Sequence, residues 1–159
     1  MLLEHRGKHP QIHPSAYVAP TATLCGDVVI GEDARVLFGT VITAEGGKVS
    51  IGSRCIIMEN AVIRGTGKHP VHLDENVLVG PHAYLSGCTI EQDVFLATGT
   101  RIFNGAIIGR GSGVRINATV HVNTTLAAET VVPIGWIAIG NPAQPFPPWV
   151  LATLWWWYV

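Results

Sequence analysis

Charge is scarce in this 159-residue chain: ten lysines and arginines stand against eleven aspartates and glutamates, 13% of the sequence, beside 48% hydrophobic residues. A formal net charge of −1 removes the electrostatic case for nucleic acid or an anionic membrane as a partner. Cysteine is scarce too. Cys25, Cys55 and Cys88 include no Cys-x-x-Cys pair and are too scattered for a disulfide framework. They read as free thiols in a reducing compartment, with the cytoplasm as the expected location. The opening Met-Leu-Leu-Glu-His-Arg-Gly-Lys-His-Pro has no apolar segment of the kind a secretory leader carries. From residue 130 to 159 there is no charged side chain at all. The stretch after Trp149 is still far shorter than the roughly 20 residues a membrane span requires, so no membrane is expected.

A period near 3.6 is also missing, and 18 glycines with 10 prolines argue against a helical bundle. What is present is a period of six. Aliphatic residues recur at Ile12, Val18, Leu24, Ile30, Val36 and Ile42, then at Ile51, Ile57 and Ile63, then at Leu73, Val79 and Leu85. A last unbroken series runs Ile90, Leu96, Ile102, Ile108, Val114, Val120, Leu126. Four positions after each aliphatic the residue is small or β-branched, as at Ala22, Ala34, Thr40, Ala61, Ala83, Thr100 and Ala118. Six residues make one short strand and a corner, and three such sides close a triangular coil. Stacked coils then form three internal columns: one through Ile12, Ile30 and Ile51, a second through Val18, Val36 and Ile57, a third through Leu24, Ile42 and Ile63. The expected fold is all-β: a parallel β-helix of about six coils over residues 1–143. A short hydrophobic tail over 144–159 is expected to pack on the solenoid or on a neighbour.

The phase breaks twice. Between Ile42 and Ile51 three residues are inserted around Glu45-Gly46-Gly47, and between Ile63 and Leu73 four are inserted around Gly65 to Pro70. Both insertions leave the corner after the third column on consecutive coils. Extra loops stacked on one edge of a solenoid mark it as the working edge.

From Ile12 to Pro142 the chain resembles the γ-class carbonic anhydrase-like family of hexapeptide-repeat proteins. The resemblance rests on the two corner loops, on Gly80-Pro81-His82-Ala83-Tyr84-Leu85-Ser86-Gly87-Cys88, and on the closing Ile139-Gly140-Asn141-Pro142-Ala143. It implies a left-handed coil, a homotrimer, and zinc held between subunits by three histidines, two from one chain and one from its neighbour. It also implies an amphipathic C-terminal helix, from which the charge-free tail departs. In register with the family, the three ligand positions fall on Arg64, Pro81 and Ser86, none of which offers an imidazole. The family's Arg-Gly-Asp segment falls on Thr43-Ala44-Glu45 and its Gln-Asp pair on Met58-Glu59.

Three functions follow for comparison. The first is a trimeric scaffold or small-anion binder without catalysis, in which Arg64 replaces a metal cation and neutralises Glu45 or Glu59. Its ligand would be a small anion such as bicarbonate, and it would need no cofactor. The second is carbon dioxide hydration at a rearranged interfacial zinc site built from His69 and His82, with Glu45 or Glu59 beside them. The third is a coenzyme A-dependent acyltransferase with His82 or His69 as base. Glu45, Glu59 and Arg64 are the candidate catalytic residues; His69 and His82 are the candidate metal ligands. His72 also lies near the two loops, and His121, close to Asn123, reads as structural.

Overall fold

The computed structural model describes residues 1–150; residues 151–159 lie outside the described part. The chain is almost entirely β and winds as a left-handed parallel β-helix. Most strands are two residues long, because a six-residue side leaves only an aliphatic and its predecessor in extended pairing before the corner.

The three columns form in the expected register. On the first face Ile12 pairs with Ile30, Ile30 with Ile51, Ile51 with Leu73, and so on through Ile90 and Ile108 to Leu126. The second face stacks Val18, Val36, Ile57, Val79, Leu96, Val114 and Val132. The third face runs from Leu24 through Ile42, Ile63, Leu85, Ile102 and Val120 to Ala138. From Leu24 and Val36 onward these side chains are at most 2% exposed, and most of the small residues four positions later, such as Ala34, Ala61 and Ala83, are buried beside them. No single coil could bury its own apolar side, so each is stabilised by its neighbours.

The solenoid has eight turns rather than the six expected. At the start, Leu2–Leu3 pairs with Leu24 and Cys25, adding part of a coil ahead of Ile12. At the other end the repeat does not fade after Leu126: Val132 and Ala138 continue it at six-residue spacing and are fully buried. Valine and alanine in a stretch dense with proline and glycine hid that continuation. The strand Ala143–Phe146 then reverses and pairs antiparallel with Ile137–Gly140, so residues 144–146 close the last coil. The remainder of the expected tail, from 151, lies outside the described residues.

Two long strands, Thr23–Ile30 and Val41–Ile51, turn the corner between the third and first faces without breaking. They carry the edge on which the inserted loops sit.

Candidate functional site

The site is assembled on the outside of the third face, next to the loop-bearing edge. Cys25, Thr43, Arg64 and Ser86 are Cα partners on successive coils and form one outward column. Coils rise by about 4.8 Å, so neighbouring side chains in such a column touch.

Three loops stack beside this column. The first is a tight hairpin in which His5 and Lys8 exchange backbone hydrogen bonds of 3.0 and 3.1 Å. The second is the Glu45-Gly46-Gly47 insertion. The third is a hairpin in which the Thr66 and His69 amides each donate to the other's carbonyl, at 2.9 and 3.0 Å. Glycine is required where they interlock. A Cβ on Gly47 would come within 2.1 Å of the Thr66 carbonyl oxygen, and one on Gly65 within 2.1 Å of the Gly47 carbonyl oxygen.

Arg64 is the centre of the arrangement. Its Nη2 donates to Glu45 Oε2 at 3.0 Å, with the two side chains 39% and 58% exposed. The hydrogen bond to Glu45, and after it one to the Tyr84 hydroxyl, raises the arginine pKa further and holds the guanidinium charged. Glu45 is itself anchored: its carbonyl oxygen lies 3.3 Å from the His5 ring. Beside Arg64, the Thr43 Oγ1 is buried and has no hydrogen-bond partner among the described residues. A buried hydroxyl left unpaired costs free energy, on the order of 1–3 kcal/mol. Ser86 Oγ is already committed, donating to Asn104 Oδ1 at 2.7 Å.

The other candidates are placed elsewhere. Glu59 sits at the second edge, where its carbonyl accepts the His82 amide at 3.0 Å, and among the described residues its side chain forms no ion pair. Arg64 therefore pairs with Glu45 and not with Glu59. His82 occupies that edge with φ +57° and is exposed. His69 lies at the opposite edge of the third face, against Gly87, where an added Cβ would meet the His69 Cβ at 2.4 Å. Within one chain the fold does not bring His69 and His82 together. His72 and His121 are exposed outside both edges' loops.

The three positions that the resemblance marks for zinc carry other chemistry. Arg64 is a cation already tied to a carboxylate, Pro81 has no donor atom in its side chain, and Ser86 spends its hydroxyl on Asn104. These residues do not fit a zinc ion, which takes thiolate, imidazole or carboxylate ligands. Among the described residues of one chain, no three His, Cys, Asp or Glu side chains converge to hold a metal.

Comparison with known proteins places this arrangement. No family model matches the chain. γ-Carbonic anhydrase 1 of Arabidopsis thaliana mitochondria is 33% identical over 143 residues, which is 86% of this chain and 50% of that protein. A carbonic anhydrase of Geobacillus kaustophilus is 33% identical over 111 residues, covering 70% of this chain and 61% of that one. A solved hexapeptide transferase family protein of Anaplasma phagocytophilum superposes with a TM-score of 0.66 at 25% identity, over 91% of this chain and 82% of that one. The chain belongs to the γ-carbonic anhydrase-like family of hexapeptide-repeat proteins.

This γ-carbonic anhydrase-like chain spans about half to three-fifths of the length of the curated relatives it matches. Sequence reasoning found Glu45 and Arg64 in this site and missed Thr43 as an unpaired group, along with Tyr84 and His5. Thr43 shares the outward column with Arg64 and could have been read from the hexad phase. The His5 contact depends on a hairpin ahead of the first hexad, where no periodic signal reaches.

Proposed function

We propose that the protein is a homotrimeric γ-carbonic anhydrase-like protein that binds a small anion, such as bicarbonate or a simple carboxylate, at Arg64, without the usual zinc and without catalysis. The observation carrying this reading is the half-buried Arg64 guanidinium between Glu45 and Tyr84, with the unpaired Thr43 hydroxyl at its side. A guanidinium fork binds planar carboxylates in a bidentate manner, and Glu45 would release part of its hold to an incoming anion. Three free cysteines support a reducing compartment, the cytoplasm being the simplest.

The test is calorimetric titration of the purified protein with bicarbonate and with formate, beside Arg64→Ala. Binding that disappears in the variant supports the reading; equal binding by both proteins overturns it. Light scattering reports the trimer. Two other readings are measured on the same sample. Stoichiometric zinc with carbon dioxide hydration, both lost in His69→Ala and His82→Ala, would replace this reading with an interfacial hydratase. The opposite placement of those histidines on the third face means that only neighbouring subunits could join them. Coenzyme A binding would replace it with an acyltransferase.

A further inference from the structure

The three loops on the edge after the third face carry every lysine of the chain: Lys8 in the first, Lys48 at the end of the second and Lys68 in the third. In a chain so poor in charge, that placement does not serve general solubility. Between the first two loops lies a pocket of about 210 Å³, lined by His5, Arg6, Lys8, Asp27 and the segment from Ala44 to Lys48.

Its walls are held in place. The His5 ring lies 3.3 Å from the Glu45 carbonyl oxygen, which ties the first loop to the second. A Cβ on Gly26 would come within 2.9 Å of the Ala44 carbonyl oxygen, so the chain that carries Asp27 lies directly against the base of the second loop. Gly47 is locked from behind against Thr66 of the third loop. A site held open in this way loses little freedom when it takes up a ligand.

Charge is left over inside the pocket. Arg6, Lys8, Lys48 and Asp27 form no ion pair among the described residues, whereas Glu45 is paired with Arg64. Three cations against one uncommitted carboxylate leave a surplus equal to the charge of a dianion. Arg6 and Gly7 form the tip of the first loop at φ +51° and +73°. Asparagine is the favoured residue at the first position of such a turn. The chain carries a guanidinium there instead.

We propose that this pocket binds inorganic phosphate as its monohydrogen dianion. Arg6, Lys8 and Lys48 donate charge-assisted hydrogen bonds to the phosphate oxygens, and Asp27 accepts the hydrogen bond from the phosphate's own O–H. Size agrees with this ligand, since pockets for drug-sized molecules start at about 300 Å³. The aspartate decides the class. An ionised carboxylate can only accept hydrogen bonds, so it repels an anion that has no proton to give. Asp27 therefore selects monohydrogenphosphate against sulfate, and against a phosphate monoester that has lost its last proton. The ligand of this pocket is independent of the anion at Arg64, whose side chain does not line it.

The experiment is calorimetric titration of the full-length protein with inorganic phosphate, sulfate and glycerol 3-phosphate. Mildly alkaline pH keeps inorganic phosphate chiefly in its monohydrogen form and the monoester fully ionised. Phosphate is expected to bind one per chain and at least about tenfold more tightly than the other two anions. Asp27→Asn should erase that preference, chiefly by strengthening sulfate binding. Arg6→Asn restores the favoured turn residue, and Lys48→Gln keeps a polar stem. Each should weaken phosphate binding about tenfold without lowering the thermal unfolding midpoint. Absence of binding, equal binding of the three anions, or a preference that survives Asp27→Asn would overturn the proposal. Unchanged affinity in Arg6→Asn and Lys48→Gln would overturn it too, leaving those cations as solvated loop tips. Loss of phosphate binding in Arg64→Ala but not in the pocket variants would place the phosphate at Arg64 and have the same force.

Discussion

Two edges of the same prism have been put to different uses. At the edge after the first face, which has no insertions, polar residues pair with one another up the stack. Arg54 bridges Glu75 and donates from Nε to Asn76 Oδ1 at 2.8 Å; Asn76 in turn donates to Asp93 at 3.0 Å. Glu91 accepts the Arg110 amide at 2.8 Å. Hydrogen-bonding capacity there is spent on the solenoid itself. At the edge after the third face, glycines interlock the loops through backbone contacts, and the side chains are left over for other work. Among the described residues Arg64 has a single carboxylate, and the Thr43 hydroxyl has no hydrogen-bond partner. The difference teaches that where backbone contacts take over the stabilisation of a repeat edge, its side chains are no longer needed to hold the coils together.

Breaking the columns that both edges share should have the largest effect. Leu85→Ala removes a fully buried side chain from the third face beneath Tyr84 and Ser86. A loss of about 2–5 kcal/mol is expected, read from urea unfolding followed by circular dichroism. A change below 1 kcal/mol would mean that the coils relax into the void and that the column does not hold the site.

Gly65→Ala acts on the loop-bearing edge alone, by forcing a methyl against the Gly47 carbonyl. About 1–3 kcal/mol should be lost, together with any anion affinity that depends on the placement of Glu45. The matching change at the loop-free edge, Arg54→Ala, removes an exposed ion pair and should cost at most about 1 kcal/mol. If the two variants lose equal stability, the contrast between the edges is wrong.

Much of this was legible in the chain and some was not. Hexad phase located the columns, and the two phase breaks located the loop-bearing edge, because inward packing at every sixth residue leaves an arithmetic trace. Val132 and Ala138 escaped notice since smaller aliphatics near the end of the solenoid give a weaker trace. Arg64 and Glu45 could be paired because both flank the same corner. His69 and His82 pair only across a subunit interface in the sequence reading, and within one chain one complete side of the prism separates them. Distance along the chain says little about separation around a coil. The Thr43 orphan and the Asp27 pocket depend on which outward groups find partners, and pairing across coils is not written in the period.

The smallest effect concerns the thiols under the loop-bearing edge and at the loop-free one. Burial pushes the Cys88 thiol up to about 12 and the Cys55 thiol up to about 11, the latter partly opposed by backbone hydrogen bonds from Val77 and Gly52. Both folded values stand above the ordinary thiol value of 9.0, so the native state holds these protons more tightly than the unfolded chain does. Their contribution is therefore intact below about pH 9 and is lost as pH rises from there through the folded values. Thermal unfolding followed across pH 8 to 11 should show a midpoint that is flat at first and then falls. Cys88→Ala should flatten that fall more than Cys55→Ala, because Cys88 is the more completely enclosed and Cys55 still donates from Sγ to the Asp74 carbonyl at 2.9 Å. A midpoint in the double variant that falls as steeply as in the parent would show that the alkaline loss arises elsewhere, and that neither edge draws stability from keeping a thiol protonated.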